Sequence, residues 1–327
     1  MEDLRLGLPR GRGDGGQRKA PADGEGGISR SGPGGKVRIL AVSVVKNEAD
    51  VIAESVLWAA RFCDRIFIWD LGSEDRTVEV LRSLPAEKVQ VELKPGMLYR
   101  SALRGEIANQ VRGELGEEDW IYILDADEFL VGDPAAVLQR ARQQGVHLVG
   151  AWQANFYPTE ETLRHLDGRG EEEWSRIPLA TRLRHYRLEW FEWRFIRMSA
   201  QLQWITGGQY SVFRLTCGAS PRHGRQAMVV RHYRYRSPAQ VRLRYRTRRE
   251  AAAVGRPRFR YENTPQFREL VRPARSLVRW PDDQPELVVP RAEFRRARIR
   301  LLCWRASRKI ARWREQLRER PAGGGGC

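Results

Sequence analysis

From Val37 onward, short apolar runs of strand length alternate with segments of helical period. Val37-Arg38-Ile39-Leu40-Ala41-Val42-Ser43-Val44-Val45 has no helical period and predicts a strand covered on both faces. Lys46 to Asp50 breaks it, and Val51, Ile52, Ser55, Val56, Ala59 and Phe62 then recur at helical spacing, with Asp50 placed to cap the first turn. The unit repeats: Arg65 to Trp69 reads as a strand, Asp70 to Asp75 as a polar loop, and Val78, Val80 and Leu81 as a helix face. A third strand is expected at 88–93, ended by Lys94-Pro95-Gly96, and a helix over 102–115. The run from Trp120 to Leu124 then predicts a buried strand that meets Asp125 and Asp127 at its end. Asp133-Pro134 opens another helix, which Gly145 closes. This alternation implies right-handed βαβ units and an α/β fold with a mainly parallel sheet flanked by helices.

Beyond residue 147 the pattern is looser. Strands are expected at 147–155, 186–195 and 227–231, a loop at 155–161, and a solvated stretch at 167–173. In the second of these strands Trp190, Phe191, Trp193 and Phe195 alternate with charged residues, which fits either a core face or a platform for a sugar or base. From Arg291 to Arg320, Phe294, Ile299, Leu301, Leu302, Trp304, Ile310, Trp313 and Leu317 lie among many arginines. That is a basic amphipathic helix, able to cover the domain or rest on an anionic membrane.

Charge divides the chain in two. Residues 1–173 hold 22 Lys+Arg against 30 Asp+Glu, a net of −8, and residues 174–327 hold 36 against 11, a net of +25. The second half therefore favours anionic partners. Residues 1–35, rich in Gly and poor in apolar side chains, read as a disordered tail. The expected organisation is a tail at 1–35, an α/β domain at 36–245, and a basic, mainly helical extension at 246–327 with a flexible end. Cys63, Cys217, Cys303 and Cys327 fit no disulfide or metal-ligand spacing, which points to a reducing compartment. With no apolar run long enough to cross a bilayer, the expected location is cytoplasmic, with the basic half able to sit at the inner face of a membrane.

The topology places Asn47 and Glu48, Asp70, and Asp125 and Asp127 at the carboxyl ends of strands, along one edge of one sheet. Ligands of open α/β sheets bind there. Asp125 and Asp127 offer hard oxygen ligands for a divalent cation that also holds a diphosphate. His232, leaving a later strand, can ligate a metal or orient a phosphate.

Together, Val45-Lys46-Asn47-Glu48, Asp70-x-Gly72-Ser73-x-Asp75-x-Thr77 and Leu124-Asp125-Ala126-Asp127-Glu128-Phe129 resemble family 2 glycosyltransferases of the GT-A fold. The match covers 37 to about 150, and His232 to Gln240 is similar to a stretch near the end of the catalytic domain in a bacterial branch of that family. The resemblance implies a nucleotide-sugar donor, with Asn47 and Glu48 near the nucleotide, Asp70 on its base, and Asp125 and Asp127 at the diphosphate. It implies Mn2+ or Mg2+ held by Asp125, Asp127 and His232, and a phosphate contact from Arg236. Transfer would be inverting, to a glycan, lipid-linked or small-molecule acceptor, with a carboxylate as base.

The family's Glu-Asp base motif is absent after residue 150; Glu160, Glu161 and Glu192 are the candidates in its place. A Gln-x-x-Arg-Trp motif is absent too, which favours addition of one sugar over processive synthesis. The competing reading is a non-catalytic protein that binds anionic ligands or nucleic acid through its basic half. No nucleic-acid-binding motif is legible there.

Overall fold

The computed structural model describes residues 37–199, 201–206, 212–217, 219–253 and 266–318; the expected N-terminal tail and the last nine residues lie outside them. The chain opens with β1 (Ile39–Val45), α1 (Ile52–Ala59), β2 (Arg65–Asp70), α2 (Thr77–Arg82) and β3 (Val89–Leu93). It continues through α3 (Leu103–Gln110), β4 (Trp120–Ile123), β5 (Glu128–Leu130), α4 (Ala135–Gln143) and β6 (Leu148–Tyr157). Three short helices follow, α5 (Glu160–Asp167), α6 (Glu171–Arg176) and α7 (Leu179–Arg182), then β7 (His185–Arg197). The hairpin β8 (Leu202–Ile205) and β9 (Val212–Leu215) precedes β10 (His223–His232), α8 (Pro238–Ala253), β11 (Val278–Arg279) and α9 (Arg291–Arg318).

Alternation of side chains along the strands feeds two cores. In β1, Ile39, Ala41 and Val45 enter one, Leu40, Val42 and Val44 the other. Trp120 and Tyr122 of β4 join the first, and Ile121 and Ile123 the second. Helix α1 supplies Ile52, Val56 and Ala59 on the first face; α3 and β8 supply Leu103, Ile107, Leu202 and Trp204 on the second. Both faces are thus sealed, as the unbroken apolar runs require.

The strand order is β3-β2-β1-β4-β7-β6-β10-β5, with β11 added beside β7. The expected parallel arrangement holds for β1 to β4, but β7 pairs antiparallel with both β4 and β6, and β5 pairs antiparallel with β10. The run at 120–129 is therefore two strands in different parts of the sheet. Four strand spacings separate them, about 19 Å on a flat sheet, while the link from Ile123 to Glu128 reaches at most about 17 Å. The sheet must curl, and Glu128 accordingly touches Gln153 of β6 and Arg194 of β7 across its concave side.

Two local expectations change. Asp50 does not cap α1; Val51 occupies that position without a side-chain bond, and the Asp50 carboxylate turns to Arg236. The expected loop at 155–161 is the end of β6 and the start of α5, where Thr159 and Thr162 form a capping box. The stretch at 167–173 is solvated as expected, exposed except for the half-buried Glu171, and its end forms the first turn of α6, which buries Trp174. Farther on, α8 crosses the expected boundary at 245/246, and Trp280, Leu287 and Ala297 beyond it are buried in the first core. The basic segment is built into the fold.

The aromatic side chains of β7 serve packing. Phe191 meets Trp152 and Trp193 edge-on, and Trp190 meets Trp304 of α9 at 5.0 Å. Gly150 lies beneath Phe191, and a Cβ there would come within 2.2 Å of the ring. Gly150→Ala is expected to cost about 1–3 kcal/mol through overpacking, read from the urea midpoint. An unchanged midpoint would mean that the ring can step aside.

Candidate active site

Strand β1 pairs in parallel with β2 on one side and β4 on the other, so the order of connection reverses between β1 and β4. Loops leaving their carboxyl ends diverge there and leave a crevice. Asn47 and Glu48 leave β1; Asp125 and Asp127 leave β4.

The β1 loop is held by the β2 loop. Asn47 takes a positive φ of 61°, its backbone N–H donates to Ser73 Oγ at 2.8 Å, and its Oδ1 accepts the Glu74 N–H at 2.7 Å. The Glu48 N–H donates to Thr77 Oγ1 at 2.8 Å. Asp70 stands behind this arrangement. Its Oδ1 accepts the Gly72 and Ser73 N–H groups at 3.0 and 2.8 Å, and its Oδ2 accepts the Ser73 hydroxyl. Only 1% exposed, Asp70 fixes Ser73, which in turn fixes Asn47.

The β4 loop is set among arginines. Asp125 bonds Arg104 of α3 and lies 3.2 Å from Arg194 of β7. Arg194 also reaches Glu128 at 2.6 Å and Glu192 at 3.1 Å. Asp127 faces His232 at 3.4 Å, Arg244 of α8 at 3.3 Å and Arg236 at 3.8 Å. Arg236 is wholly buried: it grips both oxygens of Asp50 at 2.7 and 2.8 Å, Glu48 at 2.5 Å and the Tyr233 carbonyl at 3.2 Å. Its donors are spent within the chain, whereas Arg104 and Arg244 keep 14% and 16% of their side chains exposed.

Burial and charge compete over these groups. Burial opposes ionisation of Asp127, but His232, Arg244 and Arg236 outweigh it and hold the carboxyl well below the usual range. Burial likewise opposes ionisation of Asp125, and Arg104 and Arg194 still lower it. For Glu48 burial wins over Arg236 and lifts the carboxyl to about 7. An acid raised in the fold favours folding fully below its unfolded value of 4.5, and that contribution disappears as pH climbs through 7. Relative to Glu48→Gln, the wild type should therefore lose stability steadily between pH 4.5 and 7. Parallel urea midpoints for both proteins in that window would argue against a buried, strained Glu48.

His232 has a fixed tautomer. The Asn155 Nδ2 group donates to Glu189 at 2.6 Å, which turns Asn155 Oδ1 toward His232 Nδ1, also at 2.6 Å. Nδ1 therefore carries the proton and donates it, and burial lowers the imidazole's affinity for a second one. With Nδ1 so engaged, Nε2 faces the Asp127 carboxylate at 3.4 Å. Protonated, the ring pairs with that carboxylate; unprotonated, it offers a lone pair there, so a divalent cation between them would take the proton's place. Among the described residues no group of three His, Cys, Asp or Glu side chains is gathered for a metal ion. The pair fits a divalent ion whose remaining ligands come from water and a bound phosphate, as Mg2+ and Mn2+ sites on nucleotides do.

Of the residues singled out in the sequence, Glu48, Asp127, His232 and Arg236 form one part of a carboxylate–arginine network, and Asp125 and Glu192 form the other around Arg194. The two parts meet along the chain at 125–127, and Asn47 borders the first through Thr247 of α8 at 3.4 Å. Glu160 and Glu161 lie exposed on the first turn of α5, where Glu160 accepts the Ala274 N–H at 3.4 Å; no described contact ties them to the network. Arg104, Arg194 and Arg244 escaped the sequence reading because nothing separates them from the other arginines. A cavity of about 530 Å³ lined by Leu163, Phe267, Arg242 and Glu171 shares no residue with the network.

No family model matches the chain, and no curated protein matches it. Among solved structures, a mannosyltransferase from Pyrobaculum calidifontis in complex with GDP-Man and Mn2+ is similar at 18% identity, with a TM-score of 0.31 and 36% of each chain covered. Glucosyl-3-phosphoglycerate synthase from Mycobacterium tuberculosis, in complex with Mn2+, UDP and phosphoglyceric acid, is similar at 16% identity with a TM-score of 0.25, over 44% of this chain and 54% of that one. A mannose-6-phosphate isomerase from Helicobacter pylori is similar at 9% identity with a TM-score of 0.27, over 60% of this chain and 98% of that one. The chain spans about a third to a half of the two transferases' lengths.

Proposed function

We propose that this chain is a glycosyltransferase that moves one sugar from a nucleotide-sugar donor to an acceptor hydroxyl, with a divalent cation at Asp127 and His232. The observation that carries the reading is Nε2 of His232 set 3.4 Å from the Asp127 carboxylate, on loops beside the reversal between β1 and β4. When bound, Mn2+ or Mg2+ would neutralise charge on the departing diphosphate.

The chain's own groups divide the remaining work. Asn47 and Glu48 border the crevice where the nucleotide would lie, on a loop ordered by Asp70. Asp125 stands at the mouth of the crevice between Arg104 and Arg194. Arg104 and Arg244 are the arginines placed to meet phosphate oxygens, and Arg236 acts behind them as a positioning residue for Glu48 and Asp127. Among the three candidate bases, Glu192 best suits removal of the acceptor proton in an inverting transfer. Its side chain is 53% exposed and is linked to Asp125 through Arg194. A glycan, a lipid-linked sugar or a small hydroxylated molecule could each serve as acceptor, and membership of family 2 belongs to the same proposal.

Thermal midpoints with UDP, GDP, CDP and ADP, each with and without Mn2+, test it. One nucleoside diphosphate should raise the midpoint by several degrees only with metal, since saturation at about 100 times Kd adds about 2.7 kcal/mol. If none does while heparin raises the midpoint, the basic half is the functional part and the transferase reading fails.

A further inference from the structure

Helix α9 carries two apolar faces. One packs on the sheet: Ala297 is fully buried and Phe294 and Leu301 sit against the first core. Glu293 anchors this face by accepting the Leu188 N–H at 3.1 Å, and Arg300 donates to the Leu188 carbonyl at 2.6 Å. The helix is therefore held in one rotation about its axis. Half a turn away, Ile299 and Leu302 stand 61% and 63% exposed. At 100° per residue they share a stripe with Ala306, and in the sequence Ile310, Trp313 and Leu317 continue the same period.

A surface helix packed on a core needs only one apolar stripe, so the second one calls for a partner of its own. Its chemistry is read from the flanks. Arg295, Arg296 and Arg298 are exposed around Ile299, and residues 291–318 hold 11 Lys+Arg against 2 Asp+Glu. A second copy of the helix would bring these like charges together. A nucleic acid would satisfy the arginines and leave the apolar stripe in water. An anionic bilayer answers both: acyl chains take the apolar side chains, and phosphates take the guanidinium groups.

We propose that α9 is a membrane-docking helix that lays its Ile299–Leu302 stripe into the interface of an anionic phospholipid surface. Stripe and sheet contacts occupy opposite sides of the helix, so docking requires no unfolding. The proposal is independent of the transferase reading, because none of these residues belongs to the carboxylate–arginine network.

The test is flotation of the full chain with vesicles of phosphatidylcholine alone and of phosphatidylcholine mixed with phosphatidylglycerol. The wild type should float with the mixed vesicles and not with the neutral ones. Ile299→Glu/Leu302→Glu should weaken that binding by at least about tenfold while leaving the thermal midpoint in place. If the acidic pair lowers the midpoint, Ile299→Gln/Leu302→Gln provides the same comparison without added charge. Failure to bind mixed vesicles, or binding that neither pair weakens, overturns the proposal. So does a wild type that is dimeric and ignores vesicles while the variants are monomeric. Binding to DNA in preference to vesicles overturns it as well.

Discussion

Asp127→Asn is expected to abolish the metal-dependent rise in thermal midpoint produced by the cognate nucleoside diphosphate, and with it sugar transfer. The asparagine keeps the volume of the side chain and removes the charge that opposes His232, Arg244 and Arg236. A divalent ion would then meet three cationic or neutral groups and a single carboxylate, Asp125, which Arg104 and Arg194 already occupy. Substituting residues behind a metal ligand commonly lowers affinity by about 10–100-fold, so removal of the ligand itself should exceed that range. Asn155→Leu provides the graded comparison. It frees His232 Nδ1 from its acceptor and lets the ring change tautomer, and it should fall within the range rather than beyond it. Isothermal titration with Mn2+ and the nucleotide, on three proteins of intact fold, separates these effects. Retention of metal-dependent binding in Asp127→Asn would place the cation elsewhere and sink the proposed site.

The sequence exposed the parallel half of the sheet because β1, β2 and β4 are buried on both faces, and β1, β2 and β3 are each followed by a polar loop and a helix. The same regularity located the crevice, since the carboxyl ends of β1 and β4 follow directly from topology. It failed where the chain stops repeating. Trp120 to Phe129 reads as one strand ending in acids, yet the chain leaves the sheet at Asp125 and re-enters it at Glu128 across a curled surface. No local pattern encodes that, because the partner of β5 is a strand about a hundred residues later. The roles within the network were hidden for a related reason. Arg236 resembles a free phosphate ligand in the sequence, but Asp50, expected to cap α1, takes its guanidinium instead. Arg104, Arg194 and Arg244 come from three elements that share no spacing, and only the folded chain sets them on Asp125 and Asp127.

Arg236→Met should cost about 3–5 kcal/mol, the usual effect of removing one member of a buried ion pair. The guanidinium is wholly buried and separates three carboxylates: Asp50, held at two positions, Glu48 at 2.5 Å and Asp127 at 3.8 Å. Methionine fills most of the space and leaves those charges facing one another in a low-dielectric setting. Their folded pKa values must then rise, so the loss should be largest at neutral pH and shrink as pH falls toward 5 and the acids take up protons. Arg236→Lys should fall between the two proteins, because it restores a charge without the planar fork that spans Glu48 and both oxygens of Asp50. Adding Glu48→Gln to Arg236→Met should recover part of the loss by removing one stranded carboxylate. Urea unfolding of the four proteins at pH 5 and pH 7 measures all of this. A cost below about 1 kcal/mol that is independent of pH would mean that the carboxylates find water or one another without Arg236. The buried fork would then have no part in building the crevice.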